Sequence, residues 1–450
     1  PRVKHDGTWV EATWPDALAA VVGTLKRATA GGGASGLGTL VSPSATLEEA
    51  YLLQRITRHL GSDNIDYRLR QRDLRDQAND PRAPLLGCSL AELDTRQGIL
   101  VVGSNLRMEV PIVAHRVRKA ARKGASVAFL NPAAYEYHFK PAAYVTAAPE
   151  ALAANLAAVL AAAASAAGVA VPAHLARAVE GVDVTDAHRG AAQSLTRKPA
   201  LVLLGQIAQR HPQYAELRAL AAGLAAVTGA TLGYLSEGAN AAGAALAGAT
   251  PHRGPGGKPV ARSGFDARAM LETPRNAYIL FGIEPTLDLA EGAAALRALR
   301  GAAVVAFTSF ASKELEEVAD VLLPIGTFAE TAGTFVNAEG RWQSFDAAAD
   351  PAGDSRPGWR VLRVLGNELE LPHCEYRTPS DVVDDLEREL DAARDLSPAD
   401  TQYKGSFAPS GRAGSVDGAV LDVPIYAIDA LVRRSEPLQE TVLGRGGQPI

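Results

Sequence analysis

The sequence predicts an α/β protein with two Rossmann-like, doubly wound parallel sheets, one of them discontinuous along the chain. Three observations carry that prediction. Short apolar runs recur at Ile99–Val102, Ala125–Leu130, Ala200–Leu204, Tyr278–Phe281, Val304–Phe307 and Val321–Leu323, each the right length for a strand buried on both faces. Stretches of helical periodicity separate most of them, giving the alternation that builds parallel sheets. Polar, glycine- or proline-marked turns end them, as at Gly103-Ser104-Asn105, Asn131-Pro132 and Pro324. At 450 residues the chain exceeds one compact core. Units are expected at 1–65 plus 236–370, at 66–235 as an insertion, and at 371–450 as a tail.

Taken in order, Thr13-Trp14-Pro15-Asp16 opens the first helix. Thr13 is placed to cap it, Pro15 fits the first turn and Asp16 suits the positive helix end. Glycines 31 to 33 and Gly36 read as a flexible link into a short strand at Gly38–Ser42, and a second helix follows from near Thr46. Residues 67–82 are densely charged and read as a solvated segment with internal ion pairs, or else as a contact to a neighbouring protein. Pro111 opens a helix whose Arg116, Arg118, Lys119, Arg122 and Lys123 read as a solvated basic face. Ala151–Ala173 is uncharged and long enough to raise a membrane question. It is mostly alanine, interrupted by Asn155, Ser165, Gly168 and Pro172, and reads as a soluble helix. Residues 252–264 have the composition of an exposed loop. Beyond Phe345 the patterning weakens, with helices expected at Trp359–Leu371 and Ser380–Leu396.

Composition narrows the function. A net charge of −5 argues against a general nucleic-acid binder. Two cysteines, Cys88 and Cys374, cannot by themselves build an iron–sulfur cluster or a cysteine-rich zinc site. Pro1–Asp6 has no apolar segment behind it, so no signal peptide is read here, and a start at Pro1 reads as a piece of something longer.

The stretch Ala319–Phe345 organises the rest. A buried strand stops at Pro324, then Gly326, Glu330, Gly333, Thr334, Asn337, Glu339, Gly340 and Arg341 punctuate a polar loop. Loops leaving the carboxyl ends of strands are where α/β sheets hold ligands. A tight turn with glycine at positive φ accounts for the same residues equally well. The pattern AD-VxLP followed by E-xxGTfvN-xEGRxQ resembles the signature of the molybdopterin oxidoreductase superfamily. That superfamily includes formate dehydrogenases, periplasmic nitrate reductases and the large iron–sulfur subunit of respiratory complex I, known in bacterial enzymes as the G subunit. VVGSNLRMEVP at 101–111 resembles the family's G-x-N-P-x-E-x-x-P loop, and Ser236–Gly243 resembles its eGaNxxG loop. DVPIYAIDALVRR at 422–434 resembles the closing segment of the complex I branch.

The resemblance implies the fold of the formate dehydrogenase and DMSO reductase type, and a vestigial cofactor cleft. Its residues would be Gly103, Ser104, Asn105, Glu237, Gly238, Asn240, Gly333, Thr334, Asn337, Glu339, Gly340 and Arg341. In metal-bearing relatives a Cys, selenocysteine, Ser or Asp ligand follows the segment matching Asn64-Ile65-Asp66 by about two residues. Here that position holds Arg68, whose guanidinium cannot be deprotonated or ligate a metal. Tyr67 would be an unusual ligand, and His138, His211 and Cys88 sit in no matching family motif. No catalytic or metal residue is therefore expected, and no cofactor in this chain.

The resemblance to the complex I branch implies a structural portion of the peripheral arm of NADH:quinone oxidoreductase, with 4Fe-4S and 2Fe-2S clusters in an amino-terminal region outside this chain. Implied partners are the NADH-oxidising flavoprotein subunit and other peripheral-arm subunits, at the cytoplasmic or matrix face of the energy-conserving membrane, with no direct membrane insertion. The alternative is a molybdopterin-dependent oxidoreductase such as a formate dehydrogenase or nitrate reductase catalytic subunit.

Overall fold

The computed structural model describes residues 1–30, 36–390, 394, 396–409, 422–442 and 444. The glycine link at 31–33 falls outside the described residues. The acidic helix expected over Ser380–Leu396 is shorter than expected, running from Pro379 to Glu389 with Leu390 already extended.

The strands, in chain order, are β1 (Arg2–His5), β2 (Thr8–Glu11), β3 (Leu37–Val41) and β4 (Ile65–Asp66), then β5 (Gly98–Val102), β6 (Ser126–Asn131), β7 (Ala143–Thr146), β8 (Ala200–Leu204) and β9 (Thr231–Tyr234). They continue with β10 (Ala277–Phe281), β11 (Ala303–Thr308), β12 (Val321–Pro324), β13 (Gly333–Val336) and β14 (Trp342–Phe345). Seven strands form one sheet in the order β2-β1-β12-β11-β10-β3-β4, five form another in the order β7-β6-β5-β8-β9, and β13-β14 is a separate hairpin. The five-stranded sheet is parallel throughout, whereas β1 and β2 add an antiparallel edge to the larger one. In each sheet the order reverses beside a central strand, β3 against β10 and β5 against β8. Those two reversals leave crevices at the carboxyl ends, where doubly wound sheets bind ligands.

Local chemistry sets the ends of the elements. Thr13 caps the first helix, Trp14–Thr29, by accepting from the Asp16 N–H. Thr46 and Glu49 form a reciprocal capping box that starts the helix Leu47–His59 directly after β3. Pro111 occupies the first turn of the helix Pro111–Arg122. The Asp6-Gly7 turn, with φ of 49° and 80°, folds β1 back onto β2. That hairpin precedes the first predicted helix and is invisible to patterning, because each arm is too short to show a period.

The alanine-rich segment is a helix only over Leu152–Ala167, ended by Gly168 at φ 65°. Together with the 3-10 turn Pro149–Ala151 before it, it forms the 19-residue stretch Pro149–Ala167, the one helical run among the described residues apolar and long enough to cross a membrane by composition. Its Leu152, Leu156, Val159 and Leu160 are fully buried in the core of the five-stranded sheet, with Leu217, Leu220 and Leu224 of the helix Tyr214–Thr228.

The densely charged residues 67–82 are not the solvated segment expected. Arg68, Arg70, Asp73 and Asp76 are each 6% exposed or less. They run between the two sheets, where burial is tolerable only because each charge meets an opposite one. The basic helix Pro111–Arg122, by contrast, keeps Lys119 and Arg122 in solvent as expected.

Candidate functional site

Four polar loops leave the carboxyl ends of strands at or next to the two reversals, besides the β10 loop at Gly282–Glu284. After β3 comes Ser42–Thr46, after β4 the charged run, after β5 Gly103–Asn105, and after β8 Gly205–Arg210. Gly103 takes φ 62°, and a Cβ there would meet the Ala208 backbone nitrogen at 2.6 Å, so only glycine lets the β5 and β8 loops touch. Ser104 donates to Glu109 Oε2 at 2.7 Å, and the Gln206 N–H donates to Glu109 Oε1 at 2.9 Å. Burial pushes the Glu109 carboxyl up to about 7 despite those donors.

The Glu237–Asn240 loop and the β13–β14 hairpin meet on the other side. Asn240 donates to Ala45 O at 2.7 Å and accepts from the Val336 N–H at 2.8 Å, locking loop, hairpin and β3 turn together. The Thr334 N–H donates to Glu48 Oε2 at 2.9 Å, and a Cβ on Gly333 would strike Thr46. Gly238, at φ 70°, packs on Pro43. Asn337 Oδ1 accepts from the Glu339 and Arg341 N–H groups, closing the hairpin turn with Gly340 at φ 85°. Glu339 accepts from Leu90 N–H, and the Arg341 side chain is 72% exposed. The structure thus gathers Glu237, Gly238, Asn240, Gly333 and Thr334 about the β3 turn. Gly103–Asn105 sits on the second sheet, and Arg341 joins neither group.

What links the two groups is a buried ion-pair network that sequence reasoning missed. Arg68 donates to Asp66 through Nε (2.8 Å) and Nη2 (2.9 Å), and to Asp80 through Nη1 (2.9 Å). Arg218 pairs with Asp76 at 2.9 Å and with Asp80. Arg70 joins Glu237 to Asp288, and Arg210 reaches Glu237 at 3.0 Å. Burial alone would raise Glu237 and Asp80. Arg210 and Arg70 outweigh it at Glu237, as Arg218 and Arg68 do at Asp80, and hold both carboxyls below their ordinary values. His252 beside Asp80 is pushed down to about 4, first by burial and then by Arg68, so it is neutral near pH 7. The alternation of Arg and Asp through 68–80 was the available signal, but a sequence cannot say what faces it.

The carboxy-terminal segment completes the network. Arg433 donates to Asp288 at 2.6 Å, and Arg434 grips Glu284 in a fork at 2.7 and 2.8 Å while its guanidinium lies 4.2 Å from the centre of the Phe310 ring. Asp422 lies beside Asn105 and Arg210.

With these side chains in place, the space between the sheets is a cavity of about 70 Å³, lined by Arg68, Arg218, Tyr234, Glu237 and His252 among others. Small-molecule sites commonly enclose roughly 300–1,000 Å³. Arg68 carries no lone pair to give a metal, and it is already saturated by Asp66, Asp80 and Gln77. These residues do not fit a metal-bearing pterin at this position. The conceivable substitutes do not converge there either. His138 is exposed, His211 has both ring nitrogens engaged by Pro149 O and Gln213 N–H, and the buried Cys88 thiol is pushed up to about 11 within an apolar cluster. Among the described residues no group of three or more His, Cys, Asp or Glu side chains is arranged to hold a metal.

The chain thus joins two doubly wound sheets through a buried ion-pair network, with a GTFVN–EGR hairpin packed against the β3 turn. A model of the molybdopterin oxidoreductase family matches residues 1–368, and the chain belongs to that family. Acetylene hydratase from Pelobacter acetylenicus shares the fold, with a TM-score of 0.59 over 83% of this chain and 62% of that one, at 16% identity. Within the family, the chain is 28% identical over 412 residues to the G subunit of NADH-quinone oxidoreductase from Mycobacterium tuberculosis, covering 84% of this chain and 44% of the relative. It is 27% identical over 431 residues to the alpha subunit of NADPH-Fe(3+) oxidoreductase from Geobacter sulfurreducens, covering 84% and 50%. The chain spans about half the length of the curated relatives it matches.

Proposed function

We propose that this chain is a structural portion of the large iron–sulfur subunit of NADH:quinone oxidoreductase, a molybdopterin oxidoreductase fold that no longer carries the cofactor. The observation that supports it most is Arg68 held between Asp66 and Asp80 at the position where metal-bearing relatives place a ligand. Similarity to the G subunits of NADH-quinone oxidoreductases along 84% of the chain agrees with it. In this reading the units are 1–65 plus 236–370 and the inserted 66–235, followed by the tail 371–450. The iron–sulfur clusters lie in a region of the longer subunit outside this chain. The NADH-oxidising flavoprotein subunit and other peripheral-arm subunits are the partners, at the cytoplasmic or matrix face of the membrane.

The test is the molybdenum, tungsten and pterin content of the purified protein, by elemental analysis and oxidative release of the pterin. Absence of all three is expected. Metal and pterin near one per chain would overturn the reading and make the protein a molybdopterin-dependent oxidoreductase.

A further inference from the structure

The carboxy-terminal segment lies where a ligand of a doubly wound sheet would lie. Residues Ile428, Asp429, Ala430 and Leu431 roof a pocket of about 80 Å³ whose floor is Ser42, Gly282 and Phe310, at the carboxyl ends of β3, β10 and β11. That is one of the two switch-point crevices. The segment is half-buried along most of its length, so it rests on the crevice without entering the core.

Its anchorage is largely ionic. Glu284 and Asp288, 3% and 5% exposed, sit at the mouth of the crevice with Asp288 also accepting from the Glu284 N–H at 2.8 Å. Arg70 supplies one guanidinium to Asp288 from below, and Arg433 supplies a second from above. Among the described residues, the cations paired with Glu284 come from the segment alone, Arg433 at 3.5 Å and the Arg434 fork. Lifting the segment would therefore break every ion pair that Glu284 makes among the described residues. The segment's own folding is local, with Gln439 donating to Tyr426 O and Val432 O.

We propose that residues 422–439 are a strap that keeps the β3/β10 crevice closed from within the chain, latched by Arg433 and Arg434 on Glu284 and Asp288. The strap behaves as one unit. It stays down while Arg433 and Arg434 are paired with Glu284 and Asp288, and it lifts as a whole when those pairs are lost.

Hydrogen–deuterium exchange on the full chain tests this, comparing the native protein with an Arg433→Glu/Arg434→Glu variant. Exchange should rise by about tenfold or more in peptides covering 424–439 and 282–289, with the helix Tyr214–Thr228 unchanged. The charge swap Glu284→Arg with Arg434→Glu should restore part of the protection. Native protein in 1 M NaCl should show only a smaller rise, through the partly exposed Arg434, because the buried Glu284, Asp288 and Arg433 are screened little. Two results would overturn the strap: native 424–439 amides already exchanging at the unfolded-chain rate, or exchange indifferent to both charge reversal and salt. If the variant unfolds, the Tyr214–Thr228 peptides reveal it, and the single Arg434→Gln variant decides instead. Failure here leaves the cofactor-free reading untouched, since that stands on metal and pterin content.

Discussion

Two stretches of this chain look alike as sequence and end in opposite places. Residues 67–82 and the helix Pro111–Arg122 are both dense in arginine. In the first, Arg68, Arg70 and the facing Arg218 lie 4% exposed or less at the side chain, each between carboxylates on two sides. In the second, Arg116 and Lys119 share Asp94 near the surface, and Arg122 lies exposed. Charge density alone does not separate them. What separates them is whether opposing charges arrive from elsewhere in the fold, as Glu237, Asp288 and Arg218 do for the first stretch.

The comparison is sharpest at Arg218. Arg218→Ala strips the buried Asp76 of its cation, leaves Asp80 to Arg68, and should cost about 3–5 kcal/mol in urea unfolding, the loss expected when one partner of a buried pair is removed. A cost below about 1 kcal/mol would mean that water reaches the network and the burial is only apparent. Leu322→Ala gives a neutral yardstick. Leu322 is 4% exposed in the core beneath β10–β12, and its truncation should cost about 2–4 kcal/mol.

Glu109 probes burial without a salt bridge. Its carboxyl is raised to about 7 from an ordinary 4.5, so the folded state holds the proton more tightly than the unfolded chain. The associated stability is fully present below pH 4.5 and is lost as pH rises through about 7. Native protein should therefore lose roughly 2–3 kcal/mol between pH 4.5 and 8 relative to Glu109→Gln. Glu237 should run in the opposite sense, contributing stability above the ordinary carboxylate range and losing it as pH falls, because Arg210 and Arg70 lower it. Parallel pH–stability curves for Glu109→Gln and native protein would remove the distinction. The smallest effect belongs to the basic helix, where Arg122→Gln should shift stability by less than about 0.5 kcal/mol.

Much of the candidate site was legible because its residues act through the backbone of a local motif. Gly103 is required by the close approach of Ala208, and Asn337 with Gly340 makes a turn whose chemistry is written in four consecutive residues. The resemblance of GSNLRME and EGAN to family loops set their place at strand ends. Arg341 was carried over with its neighbours, yet its side chain faces solvent, since a motif gives a position and not a direction. Arg210, Arg218, Glu284 and Asp288 carry no such signal. Each lies in an ordinary helical or turn context, and its importance comes from partners far along the chain, as the separations of 138 for Arg218–Asp80 and 150 for Arg434–Glu284 illustrate.

The sequence by itself determined the class of fold and the order of its central buried strands and the helices between them. Apolar runs of strand length, separated by helical periods and ended by Gly, Asn or Pro, leave little choice but doubly wound sheets. It also determined that Arg68 stands where a metal ligand is expected, since that depends only on position. Only the tertiary structure decided what that arginine does. Its cost of burial is met by Asp66 two residues away and by Asp80 twelve away, and Asp80 is in turn held by Arg218 from the other sheet's helix. Coulombic compensation depends on distance in space, and a chain discloses only distance along itself.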